Sequence, residues 1–223
     1  MKKALITGGA TGIGKACALL FAENGYDVYI TYNETAPDFS GVNAIKCNLK
    51  NVDEINALFY NFKGLDVLVN NAGVSLIKMI NDTSAEDYEG LMSVNARAVY
   101  FCCKNAASLM LKSHSGSIVN ISSMWGEVGA SCETLYSMSK AGVIGLTKAL
   151  AKELAPSGIT VNCVSPGIID TRMNRDFSKE ELIGEVPLER IGTPEEVARA
   201  VLFFAQSGYI TGQDLSVSGG MII

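Results

Sequence analysis

The sequence predicts a single doubly wound α/β domain, in which a seven-stranded parallel sheet carries helices on both faces. Short apolar segments of strand length alternate with longer helical patterns along the whole chain. Several short segments are apolar on both faces, as a parallel sheet covered by helices requires. The predicted strands span residues 3–7, 27–32, 43–47, 65–70, 117–122, 160–165 and 214–218.

Five helices are predicted between these strands, at residues 13–24, 52–62, 84–112, 135–154 and 194–205. The helix predicted at 194–205 has a clear start signal, because Thr193 is a favourable N-cap residue and is followed by a proline and two glutamates. No linker or internal repeat is visible, so we expect one domain over residues 1–223. Residues 167–192 lack clear periodicity, and a substrate loop or small helical lid is expected there.

Composition excludes several classes of function. The 223 residues are 48% hydrophobic with a formal net charge of −5, which favours a large core and argues against a generic nucleic-acid surface. No apolar segment reaches membrane-spanning length, so no membrane partner is expected and a cytoplasmic location is the default. The six cysteines form no C-x-x-C pair and there is one histidine. We therefore predict no metal site and interpret most cysteines as small buried side chains in a reducing compartment.

A glycine-rich turn joins the first predicted strand to the first predicted helix. In TGGATGIG, residues 7–14, the glycines at Gly8, Gly12 and Gly14 permit a tight turn and close approach of the backbone to a pyrophosphate. The free N–H groups and positive dipole end of the helix suit the same ligand. A glycine loop alone is a weak indication, but its position between strand and helix favours a dinucleotide-binding, Rossmann-type domain over an ordinary turn.

Tyr136 and Lys140 stand four residues apart in YSMSK and share one face of a predicted helix. They can form an ordinary surface pair, or the lysine can make the phenol proton labile. A free tyrosine has a pKa of about 10, and a nearby cation lowers that pKa. In the second case Tyr136 is a general acid in carbonyl reduction and a general base in alcohol oxidation.

The chain resembles the short-chain dehydrogenase/reductase family along its whole length. That family has the same T-G-x-x-x-G-x-G spacing in its glycine loop. Asn70-Asn71-Ala72-Gly73 is similar to its N-N-A-G motif, and Pro166-Gly167 with Thr171 is similar to its P-G-x-x-x-T segment. Several separate motifs in the family's order make the resemblance specific.

The resemblance implies a catalytic set of Asn95, Ser123, Tyr136 and Lys140. Ser123 stands thirteen residues before Tyr136, as in the family, and would donate a hydrogen bond to the substrate oxygen. Lys140 would also hold the cofactor ribose, and Asn95 would help a water chain return the proton. The implied cofactor-binding residues are Gly8, Thr11, Gly12, Ile13, Gly14, Tyr32, Asn33, Asn48, Leu49, Asn71, Ala72, Gly73, Tyr136, Lys140, Pro166, Gly167, Ile169 and Thr171.

The end of the second predicted strand bears on the choice of nicotinamide cofactor. An acid there commonly binds the ribose 2′-hydroxyl of NAD, but Tyr32 stands in its place. A 2′-phosphate is therefore not repelled, which favours NADP(H) without excluding NAD(H). Thr11 stands where many NADP-preferring relatives carry a basic residue, and no arginine follows Asn33. Asn48 replaces the family's usual aspartate near the adenine.

Within the family the chain is most similar to the 3-oxoacyl-acyl-carrier-protein reductases, on ERIGTPEEVARAVLFFA and YITGQDLSVSGG near its end. The implied function is NADP(H)-dependent reduction of a 3-oxoacyl thioester. Met124, Cys132 and Met173 either line its pocket or belong to packing. Arg172 and Arg175 either meet an acidic carrier protein or are solvated.

Two other functions stay open at this point: a dehydrogenase of a small alcohol, sugar or other hydroxy compound, and a non-catalytic dinucleotide-sensing regulator. The resemblance also implies a homotetramer or homodimer, assembled through the predicted helices at 84–112 and 135–154. Periodicity does not distinguish that assembly from burial of the same apolar faces within one chain.

Overall fold

The computed structural model describes residues 1–174 and 177–223. Within them, seven strands form one parallel sheet in the order β3-β2-β1-β4-β5-β6-β7, which confirms the predicted fold class. The order reverses between β1 and β4, and such a switch point opens a crevice at the carboxyl ends of the strands. The strands are β1 (Lys3–Ile6), β2 (Asp27–Tyr32), β3 (Asn43–Lys46), β4 (Val67–Asn70), β5 (Gly116–Ile121), β6 (Ile159–Pro166) and β7 (Asp214–Val217).

Eight α-helices lie in the described part of the chain: α1 (Gly12–Glu23), α2 (Val52–Phe59), α3 (Ala85–Met92), α4 (Val99–Ser113), α5 (Met124–Val128), α6 (Thr134–Leu154), α7 (Lys179–Gly184) and α8 (Pro194–Gln206). Thr193 and Glu196 form the capping box that starts α8, with Pro194 in the first turn. Neither α5 nor α7 is among the five predicted helices, because five or six residues are too few to show a 3.6-residue period.

Each face of the sheet is covered by its own set of helices, as the strands' composition predicts. Leu5 belongs to the core shared with α2, α4 and α6, whereas the next residue, Ile6, belongs to the core shared with α1 and α8. Successive residues of a strand point to opposite faces, so one short strand serves both cores. All residues of β4 and β6 are buried.

The helix predicted over residues 84–112 is helical along its length, but it is not one regular α-helix. A π-helical segment, Ser93–Ala98, separates α3 from α4. The apolar pattern continues through the wider turn, so periodicity does not reveal it. Segments of this kind often occur at functional sites, and Asn95 lies inside this one.

Five of the six cysteines are buried and all are free thiols, while Cys132 is partly exposed. Burial raises the pKa of Cys17 and Cys103 to about 12, which keeps both protonated and unreactive at neutral pH. No group of histidine, cysteine and carboxylate side chains in the described ranges is placed to hold a metal ion. No helix there is both long and apolar enough to span a bilayer.

Candidate active site

The glycine loop between β1 and α1 is a backbone cradle that side chains would fill. Gly8 and Gly12 have φ of 64° and 54°, in the left-handed region that favours glycine. A Cβ on Gly14 would overlap the carbonyl oxygen of Gly8 and lie 2.5 Å from Asn71 Nδ2. The loop can therefore bring its N–H groups close to a phosphate, at the amino end of α1.

The asparagine motif after β4 is bound directly to this loop. Asn71 Nδ2 donates to the carbonyl oxygens of Thr7 at 3.0 Å and Gly8 at 3.1 Å. In return, Thr7 Oγ1 accepts from the N–H groups of Asn71 and Ala72 at 3.0 and 3.1 Å. Sequence reasoning omitted Thr7 as a site residue, although it is the first letter of the glycine motif. Its buried hydroxyl holds the two motifs together.

The residues predicted to contact the adenosine of the cofactor include those at the carboxyl end of β2. Gly8 and Gly9 donate to Thr31 Oγ1 and Thr31 O, at 3.1 and 3.0 Å, so Tyr32 and Asn33 follow at the edge of the loop. Thr11, the N-cap of α1, makes no side-chain capping bond and is exposed, and Ile13 in the first turn of that helix is partly buried. Both residues at this end of β2, Tyr32 and Asn33, are neutral.

Two further predicted contacts lie after β3. The Asn48 side chain accepts from Lys50 N at 3.1 Å, and the Asn48 N–H donates to Glu54 at 2.8 Å. The amide nitrogen of the Asn48 side chain is a hydrogen-bond donor there, whereas an aspartate would only accept. The following residue, Leu49, is buried in the core beside α2.

The segment after β6 folds back over the glycine loop. Pro166 ends β6, and a Cβ on Gly167 would lie 2.8 Å from Ser218 Cα, so only glycine fits between the ends of β6 and β7. The side chain of Thr171 is the nearest group to Gly12, where an added Cβ would lie 3.5 Å from its methyl carbon. Ile169 is buried and pairs with Gly192. Arg175 lies outside the described residues.

Three of the four predicted catalytic residues meet where β5, α5 and α6 converge. Ser123 follows β5 and caps α5, its Oγ accepting from Trp125 N at 3.2 Å. Tyr136 and Lys140 lie one turn apart on α6, with the lysine nitrogen 5.7 Å from the centre of the phenol ring. Ser123 and Tyr136 are each 7% exposed and Lys140 is 4% exposed, so Tyr136 and Lys140 are a buried pair, and the alternative of an ordinary surface pair is wrong.

In the protein by itself, Lys140 does not lower the pKa of Tyr136, and acidification of the phenol by Lys140 together with an oxidised nicotinamide stays a prediction. Burial raises the pKa of Tyr136 to about 12, with hydrogen bonding to Ser123 lowering it and the charge of Glu133 raising it. Lys140 is itself desolvated, and burial lowers its pKa to about 8. Its ammonium donates to the Ile121 carbonyl at 3.0 Å instead of meeting the phenol oxygen.

Asn95 joins the site from the π-helical segment. It is fully buried, and its side chain forms two bonds with the backbone of Val74, accepting at 2.9 Å and donating at 2.8 Å. It also donates to Ser139 Oγ at 3.2 Å, and that hydroxyl donates to the Tyr136 carbonyl at 2.7 Å. Ser139 was absent from the sequence prediction, since one serine inside a helix carries no recognisable signal.

Gly73 completes the arrangement between the cradle and the catalytic residues. A Cβ placed on Gly73 would lie 3.4 Å from Lys140 Nζ and 3.5 Å from Asn95 Oδ1. Glycine at this position places no side chain against these two polar groups. The described residues thus fit a dinucleotide, with a phosphate cradle at one end and a buried donor set at the other.

A parallel doubly wound sheet with this cradle and this serine–tyrosine–lysine set defines a dinucleotide-dependent oxidoreductase. A family model described as enoyl-(acyl carrier protein) reductase matches residues 8–222. The chain belongs to that family, a branch of the short-chain dehydrogenases and reductases, and acts as an NAD(P)-dependent oxidoreductase on C=O or CH–OH groups.

Curated relatives and solved structures agree with this assignment. The chain is 40% identical to a 3-oxoacyl-[acyl-carrier-protein] reductase of Synechocystis sp., over 99% of this chain and 96% of the relative. It is 42% identical to the 3-oxoacyl-[acyl-carrier-protein] reductase FabG of Chlamydia muridarum, over 99% and 97%. The solved structure of ElxO with NADP bound has 37% identity and a TM-score of 0.92, over 99% of this chain and 98% of that one.

Proposed function

We propose that the protein reduces the 3-oxo group of an acyl thioester, with NADPH as the reductant and an acyl-carrier protein as the natural carrier. The observation that carries the proposal is the buried Ser123, Tyr136 and Lys140 set, in a chain 40–42% identical to 3-oxoacyl-[acyl-carrier-protein] reductases over nearly its full length. A dinucleotide sensor has no need of a buried proton donor beside the cradle.

Reduction of the carbonyl needs a hydride, a proton and stabilisation of the developing alkoxide. Bound NADPH supplies the hydride to the carbonyl carbon. Tyr136 supplies the proton to the carbonyl oxygen, and its raised pKa keeps the phenol protonated at neutral pH, as a general acid requires. The Ser123 oxygen accepts from Trp125 N, which orients the side chain, and the Ser123 hydroxyl donates a hydrogen bond to the developing alkoxide.

The remaining residues serve the cofactor and the return of the proton. Lys140 holds the ribose, and Asn95 with Ser139 supports a chain of water molecules behind Tyr136. The neutral end of β2, at Tyr32 and Asn33, favours NADP(H) over NAD(H), because a carboxylate there would repel a 2′-phosphate. The relative ElxO has been solved with NADP.

An apolar rim supports an acyl substrate. Ile77, Met79 and Ile80 are exposed in the segment between β4 and α3, which is bonded to the loop before α6 through Lys78 N and Cys132 O at 2.8 Å. We assign residues 167–192 as a substrate lid, whose exposed Met173 and Leu188 add apolar surface. Met124 instead packs with Ile168 and Val186, and is not a lining residue.

We further propose a cytoplasmic homotetramer or homodimer. Tyr100 and Leu111 on α4 and Met138 on α6 are exposed, and they are large apolar side chains on the two helices expected to pair with their copies. Buried free thiols suit a reducing compartment. Sedimentation velocity tests the assembly.

The test of function is loss of reduced-nicotinamide absorbance with acetoacetyl and longer 3-oxoacyl thioesters on acyl-carrier protein, coenzyme A and N-acetylcysteamine. We expect turnover with NADPH, and weaker turnover with NADH. NAD-dependent oxidation of a small alcohol or sugar without thioester reduction would identify a dehydrogenase. Nucleotide binding without turnover of any carbonyl would identify a sensor.

A further inference from the structure

Lys140 is hydrogen-bonded through both its backbone carbonyl and its ammonium group, to Ser122 and to Ile121, where Ile121 is the last residue of β5 and Ser122 follows it. The hydroxyl of Ser122 donates to the Lys140 carbonyl at 2.8 Å, and the Lys140 ammonium donates to the Ile121 carbonyl at 3.0 Å. All three groups are buried, so neither bond competes with bulk water. Ser122 is in turn held in the sheet, its N–H donating to Val164 O at 2.8 Å.

Gly126 brings α5 into the same contact. A Cβ at this position would lie 2.8 Å from the Lys140 carbonyl carbon, 2.9 Å from Ala141 N and 2.9 Å from Ser122 Oγ. Two of these three atoms belong to the backbone of α6 and cannot rotate away. The backbones of α5 and α6 therefore meet at a separation that only glycine permits.

These contacts connect the two halves of the catalytic set. Ser122 directly precedes Ser123, and Tyr136 lies one turn before Lys140 on α6. A bond between Ser122 and Lys140 therefore ties the strand end that carries the serine to the helix that carries the phenol. Small displacements between catalytic groups are costly, since an error of about 1 Å can reduce a rate about a hundredfold.

We infer that Ser122 and Gly126 are positioning residues, which set the spacing between Ser123 and the Tyr136–Lys140 pair. The inference rests on the proposed reductase function for its rate measurements. The NADPH-binding measurements that test the inference need no substrate, because Lys140 is assigned to the cofactor ribose. Neither residue needs to touch substrate or cofactor.

The test compares Ser122→Ala with Ser117→Ala. Ser117 lies on the same strand at its other end, is equally buried, and its hydroxyl accepts from Thr160 Oγ1 at 3.1 Å. We expect Ser122→Ala to lower kcat about tenfold and to weaken NADPH binding about threefold or more, with KM for the thioester little changed. Ser117→Ala should change none of these by more than about twofold, while thermal midpoints fall similarly in both variants.

Three more variants, one of them a control, keep the inference testable if Ser122→Ala folds poorly. Ser122→Thr retains the hydroxyl and should recover most of kcat and NADPH affinity. Gly126→Ala should lower kcat as Ser122→Ala does, whereas Gly90→Ala in α3, where an added Cβ meets nothing within 4 Å, should not. NADPH affinity is measured by quenching of the single tryptophan, Trp125.

Wild-type rates and affinities from Ser122→Ala and Gly126→Ala would overturn the inference. So would losses in Ser117→Ala as large as those in Ser122→Ala, since they would indicate general loosening of the sheet. If the wild-type protein reduces no thioester, the proposed function fails separately, and the NADPH affinities of the five variants still decide the inference.

Discussion

Lys140 and Tyr136 lie one helical turn apart with the lysine nitrogen 5.7 Å from the ring centre, and both side chains are more than nine-tenths buried. Burial disfavours the charged form of each group. It lowers the pKa of Lys140 to about 8 and raises the pKa of Tyr136 to about 12. The phenol is thus held as a neutral donor, beside a cation whose charge is costly to keep.

Replacing Tyr136 with phenylalanine removes the donor and keeps the ring. We expect kcat for thioester reduction to fall by at least about a hundredfold, because a positioned general acid contributes that much or more. NADPH affinity should stay within about twofold of wild type. Steady-state kinetics and tryptophan quenching measure the two quantities. Tyr60→Phe, at an exposed tyrosine after α2, is the control, and an active Tyr136→Phe would remove the phenol from the mechanism.

Glu133→Gln should lower the pKa of Tyr136. Glu133 is half-buried at the start of α6, three residues before the tyrosine, and its charge opposes ionisation of the phenol. Oxidation of a 3-hydroxyacyl thioester uses the phenolate as base, so its rate at pH of about 9 should rise about two- to tenfold. Glu153→Gln, at an exposed position near the other end of α6, should have no such effect. An unchanged pH profile in Glu133→Gln would contradict the electrostatic argument.

Lys140→Met should stabilise the fold at neutral pH while it abolishes efficient catalysis. Burial depresses the pKa of Lys140 from 10.5 to about 8. Below pH 8 the lysine is charged in both states, but its charge is desolvated in the folded state and hydrated in the unfolded state. The change should raise the free energy of unfolding by about 1–3 kcal/mol at pH 7, less the cost of leaving Ile121 O without this donor.

The pH dependence of that gain has a definite sign. Between pH 8 and 10.5 Lys140 binds more protons in the unfolded state than in the folded state, so the destabilisation caused by its buried charge decreases as pH rises and the advantage of Lys140→Met shrinks. Burial also raises the pKa of the neighbouring Cys163 thiol, and the effect of that thiol on stability is present in both wild type and variant, so the comparison between them removes it. Urea unfolding at several pH values, followed through Trp125, measures the difference. A variant that is less stable than wild type at pH 7 would show that the lysine bonds outweigh its desolvation.

Gly14→Ala should disrupt the cradle. The added methyl would overlap the Gly8 carbonyl and lie 2.5 Å from Asn71 Nδ2, so the bonds between the two motifs must be displaced. We expect NADPH binding to weaken at least about tenfold, with a loss of stability of about 1–3 kcal/mol. Gly90→Ala makes the same change inside a helix with free space around it, and should be neutral or slightly stabilising. Isothermal titration and thermal unfolding distinguish the two variants.

Tyr32→Asp should reverse the cofactor preference. A carboxylate at the end of β2 repels a 2′-phosphate and accepts from a 2′-hydroxyl, so KM for NADPH should rise at least about tenfold relative to KM for NADH. Tyr32→Asn, which is neutral and of similar size to Asp, separates the effect of charge from loss of the ring. Equal KM changes in both variants would place the 2′-phosphate elsewhere.

Much of this arrangement follows from sequence patterns alone. The glycine spacing at Gly8, Gly12 and Gly14, the four-residue separation of Tyr136 and Lys140, and the apolar strands are all local features. They predict the fold class, and they predict the strands and longer helices to within about two or three residues at most ends. Local patterns suffice because backbone hydrogen bonding in helices, and turn geometry, depend on residues close in the chain.

Other properties were decided only by the tertiary structure. The π-helical segment places Asn95 against Val74, twenty-one residues earlier, and Ser122 meets Lys140 across eighteen residues. The raised pKa of Tyr136 has the same origin, because it depends on how completely the surrounding chain removes water from the phenol. Sequence determined which groups are present and on which elements they lie. Packing between distant segments determined their contacts and their desolvation, and so their protonation.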